Sequence, residues 1–197
     1  MLVNVRFYKI IKILFIYLLL LLFLGNLNAY ARNKNQVIDK LIKTNSIKFN
    51  FKQKSNSKIT ENGKCTLLFP GKLKCIYDNK DLKELIVNNN MLVISHKRYE
   101  KNYFYPISKS YFNELLEKQK LIDLIKKSEE SVKKKKIHFT YKKKNGQNII
   151  ILFDKNNLDL KGWIISDQYK NNVEFLINIL SENISPNIDI FKIPSIN

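Results

Sequence analysis

The chain is 197 residues long, with 45% apolar and 12% aromatic residues, enough for the core of one domain. Five Gly and four Pro exclude a fibrous or low-complexity chain, and no repeat of solenoid period is present. The formal net charge of +18 leaves nucleic acid, an anionic membrane surface or an acidic protein as partner classes. Lys, Asn and Ile dominate the whole length, so the charge reads as composition rather than as one built patch.

The N-terminus reads as a targeting segment. Arg6, Lys9 and Lys12 give a positive start, Ile13 to Leu24 is unbroken apolar sequence, and Ala29-Tyr30-Ala31 sets small residues where a signal peptidase cuts. A membrane span takes about 20 residues, so the shorter run predicts a secretory signal peptide over 1–31, cleaved after about Ala31. An uncleaved anchor is the other reading. No Cys follows the run where a lipoprotein would be acylated. Cleavage takes the charge from +18 to about +15 and leaves 32–197 as a single exported domain, for which nucleic acid is not an expected partner.

Val37, Ile38, Leu41 and Ile42 stand at helical spacing within 33–45, with Asn33 or Asn35 able to cap the start. Alternation then takes over. Phe49 and Phe51 share one strand face and Lys48, Asn50 and Lys52 the other. Cys65, Leu67 and Phe69 lead into Pro70-Gly71, and Leu73, Cys75 and Tyr77 return as the second arm of a hairpin. A two-residue loop at 70–71 sets Cys65 and Cys75 on opposite faces. A three-residue loop sets them diagonally on the same face. An oxidising compartment allows them to pair; two buried thiols are the preferred reading, and a metal site is not expected, since partner ligands are lacking.

Leu85-Ile86-Val87 and Met91 to Ile94 flank Asn88-Asn89-Asn90 as a second hairpin, and Tyr99, Tyr103 and Tyr105 belong to a further strand ending at Pro106. From Ser108 to Ser131 the period changes. Tyr111, Phe112, Leu115 and Leu116, then Leu121, Ile122, Leu124 and Ile125, follow three-and-four spacing and predict one or two helices. Helices between two sets of strands must cover part of the sheet, either as a plug of the core or as a lid over a hollow. Strands resume at Ile137, Phe139 and Tyr141, turn at Asn145-Gly146, and return over 148–153. The run Lys133 to Lys136 precedes them; were it a functional patch, a membrane surface or membrane-bound partner would be its target. Leu158 to Ser166 carries Trp163 and Ile165, and Val173 to Leu180 carries Phe175 and Ile177. Ile188, Ile190 and Ile193 close the chain as an expected edge strand. Ten or eleven antiparallel strands curl into a barrel, closed or partly open.

Catalytic constellations are missing from the sequence. His96 and His138 stand outside any nucleophile motif, acidic residues are not paired within apolar segments, and no Gly-rich phosphate loop exists. The expectation is a binder or carrier, not an enzyme, with no cofactor.

Several segments taken together resemble the LolA family of periplasmic lipoprotein carriers, over roughly Phe49 to Ile193. These are Phe49-x-Phe51-x-Gln53, then Gly63 with Phe69-Pro70-Gly71-Lys72-Leu73-Lys74-Cys75-Ile76-Tyr77, then Leu85-Ile86-Val87-Asn88, Leu160 to Asp167, and Phe191-Lys192-Ile193-Pro194. The resemblance implies a mainly β fold, an unclosed antiparallel barrel of about eleven strands with an α-helical lid over a hydrophobic cavity. It implies acylated lipoproteins as cargo, an inner-membrane ABC transporter as donor and the outer-membrane receptor LolB as acceptor, with the carrier a monomer. Drawn from one strand face, the expected cavity residues are Phe49, Phe51, Leu67, Phe69, Leu73, Leu85, Val87, Trp163, Ile165, Phe175 and Ile177. The expected lid residues are Tyr111, Phe112, Leu115, Leu116, Leu121, Leu124 and Ile125. A LolB- or RseB-like binding module of the same fold is the alternative. The family typically has Arg just before the hairpin proline, thought to latch the lid. This chain has Phe69 there, with Leu73 and Cys75 at positions the family fills with aromatics, so closure is expected to rest on apolar contact alone.

Overall fold

The computed structural model describes residues 12, 14–17, 33–56, 59–167, 169 and 171–195. The signal-peptide reading falls outside these, apart from residues 12 and 14–17, which are helical and exposed. Helix α1 covers 33–43, and its Val37 and Leu41, one turn apart, are both buried.

Six strands follow in one meander, β1 (Ser46–Ser55), β2 (Ile59–Leu68), β3 (Lys72–Tyr77), β4 (Lys83–Asn88), β5 (Met91–His96) and β6 (Lys101–Pro106). Two helices come next, α2 (Phe112–Leu115) and α3 (Lys118–Lys127). A second meander completes the sheet with β7 (Glu129–Lys133), β8 (Lys136–Lys142), β9 (Asn148–Asp154), β10 (Leu160–Ser166) and β11 (Asn172–Glu182). The order is β6-β5-β4-β3-β2-β1-β11-β10-β9-β8-β7, antiparallel throughout, with β6 and β7 as unjoined ends. This is the unclosed barrel. α2 and α3 lie in the connection between its two free edges.

Alternation decides which way each side chain points. On β1, Ile47, Phe49 and Phe51 are buried while Lys48 and Lys52 are exposed. The same inward parity on neighbouring strands yields one core that also takes in α1, α2 and α3.

Three features differ from the sequence reading. The helical segment ends at Lys127, where Ser128 Oγ donates to the Leu124 carbonyl at 2.7 Å, and Glu129–Lys133 forms β7 instead of more helix. β7 pairs with β8 through Val132 opposite Ile137, and Lys134 and Lys135, both at positive φ, make the tip. The dense lysine run is therefore a hairpin turn. The expected closing edge strand does not form. Ile188–Phe191 is a 3-10 turn, and Phe191 is fully buried while Ile188 and Ile190 stay exposed. Asn88 Nδ2 donates to the Phe191 carbonyl at 3.2 Å, tying the tail to β4. The residue that anchors the tail has the opposite parity to the exposed Ile188 and Ile190. Tyr99 also falls outside β6, in the 3-10 turn Lys97–Tyr99.

The β2–β3 loop has three residues, Phe69 to Gly71, because Leu68 pairs with Lys72. That register sets Cys65 directly opposite Cys75, not diagonally, with Cα atoms 4.1 Å apart. The two are joined in a disulfide on the buried face, in place of the two thiols preferred above.

Candidate functional site: an apolar inner face under a helical cover

A row of aromatic rings crosses the inner face. Tyr77 of β3 meets Phe51 of β1 edge-on at 4.9 Å, and Phe51 stacks on Phe175 of β11 at 4.8 Å. Phe175 stacks on Trp163 of β10 at 4.6 Å and 2°, and Trp163 meets Phe112 on α2 in a T-shaped pair at 6.4 Å. Tyr111 packs on Phe112 at 4.8 Å. The row follows from register, since Gln53 and Trp163 both pair with Phe175, which brings inward positions of three strands side by side. It also depends on Gly162. This residue has φ +127°, marks a bulge in the pairing with β9, and approaches β11 so closely that a Cβ would lie 1.9 Å from the Phe175 carbonyl oxygen.

At the Tyr77 end the row becomes polar. Its hydroxyl donates to Gln53 Oε1 at 3.4 Å, and Lys83 Nζ lies 3.8 Å from its ring centre. Burial, then the nearby Glu61 and Tyr111, push the Tyr77 hydroxyl well above its ordinary pKa. Burial pushes Tyr111 up as well.

The structure places Phe49, Phe51, Leu67, Phe69, Leu73, Leu85, Val87, Trp163, Phe175 and Ile177 together in this core, all buried, with Ile165 partly buried against it. Phe112, Leu115, Leu116, Leu121, Leu124 and Ile125 of the cover join the same cluster, and Tyr111 packs on it half-buried. The sequence reading omitted Ile47, Ile137, Phe139, Ile149, Ile151, Phe153 and Leu160 from the site, yet they extend the same surface. Their alternation on β8 and β9 was the available signal. The space between Leu41, Ile47, Phe69, Phe153 and Leu160 is about 20 Å³, room for about one water. That gap is too small for an acyl chain.

The opposite face differs in chemistry. A groove of about 1000 Å³ lies between the C-terminal tail and the outer side of β2–β5, lined by Lys64, Lys74, Ile76, Glu84, Ile190 and Ile193 among others. Glu84, 7% exposed, is paired with Lys74 and with Lys97 at 2.6 Å. Burial alone would raise its carboxyl, but the two ammonium groups outweigh burial and hold it below its ordinary 4.5. A depressed carboxyl contributes stability above the unfolded pKa and loses it as pH falls through the folded value. In urea titrations the wild type should exceed Glu84→Gln by about 1–3 kcal/mol at pH 7. That gap should close as the pH falls below 4.5. A gap independent of pH would show that the carboxyl has the same pKa folded and unfolded, so that Lys74 and Lys97 do not hold it down.

A family model described as outer membrane lipoprotein carrier protein LolA matches residues 42–194. The chain belongs to the LolA family. A solved structure of a LolA superfamily protein from Nitrosomonas europaea is similar at TM-score 0.43 and 5% identity, covering 80% of this chain and 96% of that one. No curated protein matches the sequence.

This LolA-family chain fastens its cover with more than apolar contact. Gly71, at φ +68°, turns its amide so that it donates to the Leu116 carbonyl between α2 and α3 at 2.9 Å. Lys143 Nζ pairs with Glu114 Oε1 of α2 at 2.7 Å. Lys118 of α3 donates to the Ile42 carbonyl at 3.1 Å, with its Nζ 5.6 Å from the Phe69 ring centre. Phe69 thus occupies the place of the family arginine as a ring under a lysine, and polar ties are supplied from elsewhere.

Proposed function

We propose that this protein is a periplasmic chaperone that binds the acyl chains of lipoproteins on its inner face. It carries them from an inner-membrane ABC transporter to an outer-membrane receptor, LolB or an equivalent. Residues 1–31 direct export and are removed, and residues 32–197 work as one domain, a monomer without catalytic activity. The reading is supported by one observation above all: the inner face and its cover are apolar on both sides of their contact, in a chain of the LolA family.

Energetics give this arrangement its purpose. Burial of an acyl chain is worth about 0.8 kcal/mol per CH₂, on the order of 10 kcal/mol for about sixteen carbons. A lipoprotein does not cross water against that. A carrier that left an equal apolar surface open would aggregate, and one that held the chain irreversibly would never release it. A cover whose own side chains fill the site meets both demands, because cargo replaces Tyr111, Phe112, Leu115 and Leu116 instead of filling a void.

Depletion of the protein in its cell, followed by membrane fractionation, tests the shuttle. Lipoproteins should accumulate in the inner membrane. Photocrosslinking residues placed at Phe49, Leu67 or Leu115 should capture them on the carrier. Normal sorting with crosslinks retained would favour the LolB- or RseB-like binding module. Normal sorting without crosslinks would remove the lipid site itself.

A further inference from the structure

Trp163 is 4% exposed, and its Nε1–H has no hydrogen-bond partner among the described residues. The indole nitrogen is a donor only, and a buried Trp ordinarily finds an acceptor. Its ring stacks on Phe175 and stands at 86° to the ring of Phe112, with centroids 6.4 Å apart, within the aromatic row. Phe175 on the adjoining strand β11 and Phe51 on β1 take their places in the row with phenyl rings. The indole therefore adds one thing to the row, an N–H that the closed protein leaves unused.

We propose that Trp163 Nε1–H is the donor that receives the carbonyl oxygen of an ester-linked acyl chain once Phe112 is displaced. This rests on the carrier reading above and adds a requirement to it. The methylenes of an acyl chain offer no acceptor, so the only group in the buried part of the cargo that can satisfy the indole is the carbonyl at the chain's head. A site that holds an unpaired donor for its ligand discriminates against analogues lacking the acceptor. The site then selects acylated glycerol over alkylated glycerol of the same length, and fixes how deeply the chain is seated.

The test compares two synthetic lipopeptides, a cysteinyl peptide carrying a dipalmitoylglyceryl thioether and its counterpart with hexadecyl ethers in place of the esters. Each competes with a dansyl-labelled fatty acid for the wild type and for Trp163→Phe. The wild type should prefer the ester form by about fivefold to tenfold, and Trp163→Phe should bind both equally, near the wild-type affinity for the ether form. Trp163 is the only tryptophan in the chain, so the wild type supplies a second readout that needs no variant. Its emission should shift to the red with the ester form and not with the ether form. Equal affinity of the wild type for both forms, with no spectral difference, overturns the inference and leaves the carrier reading standing. Failure of the wild type to bind either lipopeptide overturns both.

Discussion

Truncating Phe112 to alanine is expected to tighten acyl binding by about tenfold while lowering stability by about 3 kcal/mol. The two effects share one cause. Phe112 is 7% exposed, on a helix of only four residues, and its contact with Trp163 of β10 helps hold the cover down. Removing a buried phenyl ring costs about 3–5 kcal/mol, and a site at the edge of a core lies at the lower end. Cargo that displaces Phe112 from the wild type must forfeit the same contacts. In the variant that penalty has already fallen on the empty state; with about half of it regained in the wild type when the displaced ring packs on the bound chain, the remaining ~1.4 kcal/mol is worth a factor of ten in affinity. Phe49→Ala provides the contrast. Phe49 is 1% exposed in the sheet itself, so its loss should destabilise by a similar amount with no gain in binding. Urea unfolding and displacement of a fluorescent fatty acid measure both quantities. Weaker binding by Phe112→Ala would show that the cover assists the ligand instead of competing with it.

The second large effect is on folding. Gly162→Ala should cost on the order of 3–5 kcal/mol, a large part of the 5–15 kcal/mol by which a domain is stable. The added methyl meets the backbone of Phe175 at a φ of +127°, which no rotamer change relieves. β10 must move away from β11, and Trp163, the next residue, leaves its stack on Phe175. The urea midpoint should fall sharply, and the single tryptophan should emit further to the red before denaturant is added. A variant within about 1 kcal/mol of the wild type, with unchanged emission, would mean that β10 takes a different path past β11.

The inner face was legible in the sequence because one side of the sheet is buried and the other is wet. Phe49 with Phe51, Leu73 with Cys75, and Phe175 with Ile177 all carry that contrast in alternate positions. β7 was not legible. Glu129 to Lys133 is an edge strand with little buried on either side, so it has no alternation to display. The C-terminal tail misled in the opposite direction, offering alternate isoleucines that stay in solvent while Phe191 makes the anchor. The ties of the cover were invisible for a different reason. A backbone amide such as that of Gly71 has no residue signature, and Glu114 and Lys143 are brought together by the fold across 29 positions. The pairing of Cys65 with Cys75 turned on a single residue of loop length, which composition does not encode.

Every lateral neighbour in the sheet but one is also the next strand in sequence, and the exception joins β1 to β11. The first strand built is therefore completed by the last. While the polypeptide is still being delivered, each half is a one-sided ribbon with its greasy flank uncovered. Phe51 waits for Phe175, the better part of the chain away, and so distant a partner is slow to find. A product that stops short of Asn172 lacks β11 altogether and keeps that flank bare. Quality control thus has a sharp criterion to act upon: only molecules that include β11 can zip shut along their midline.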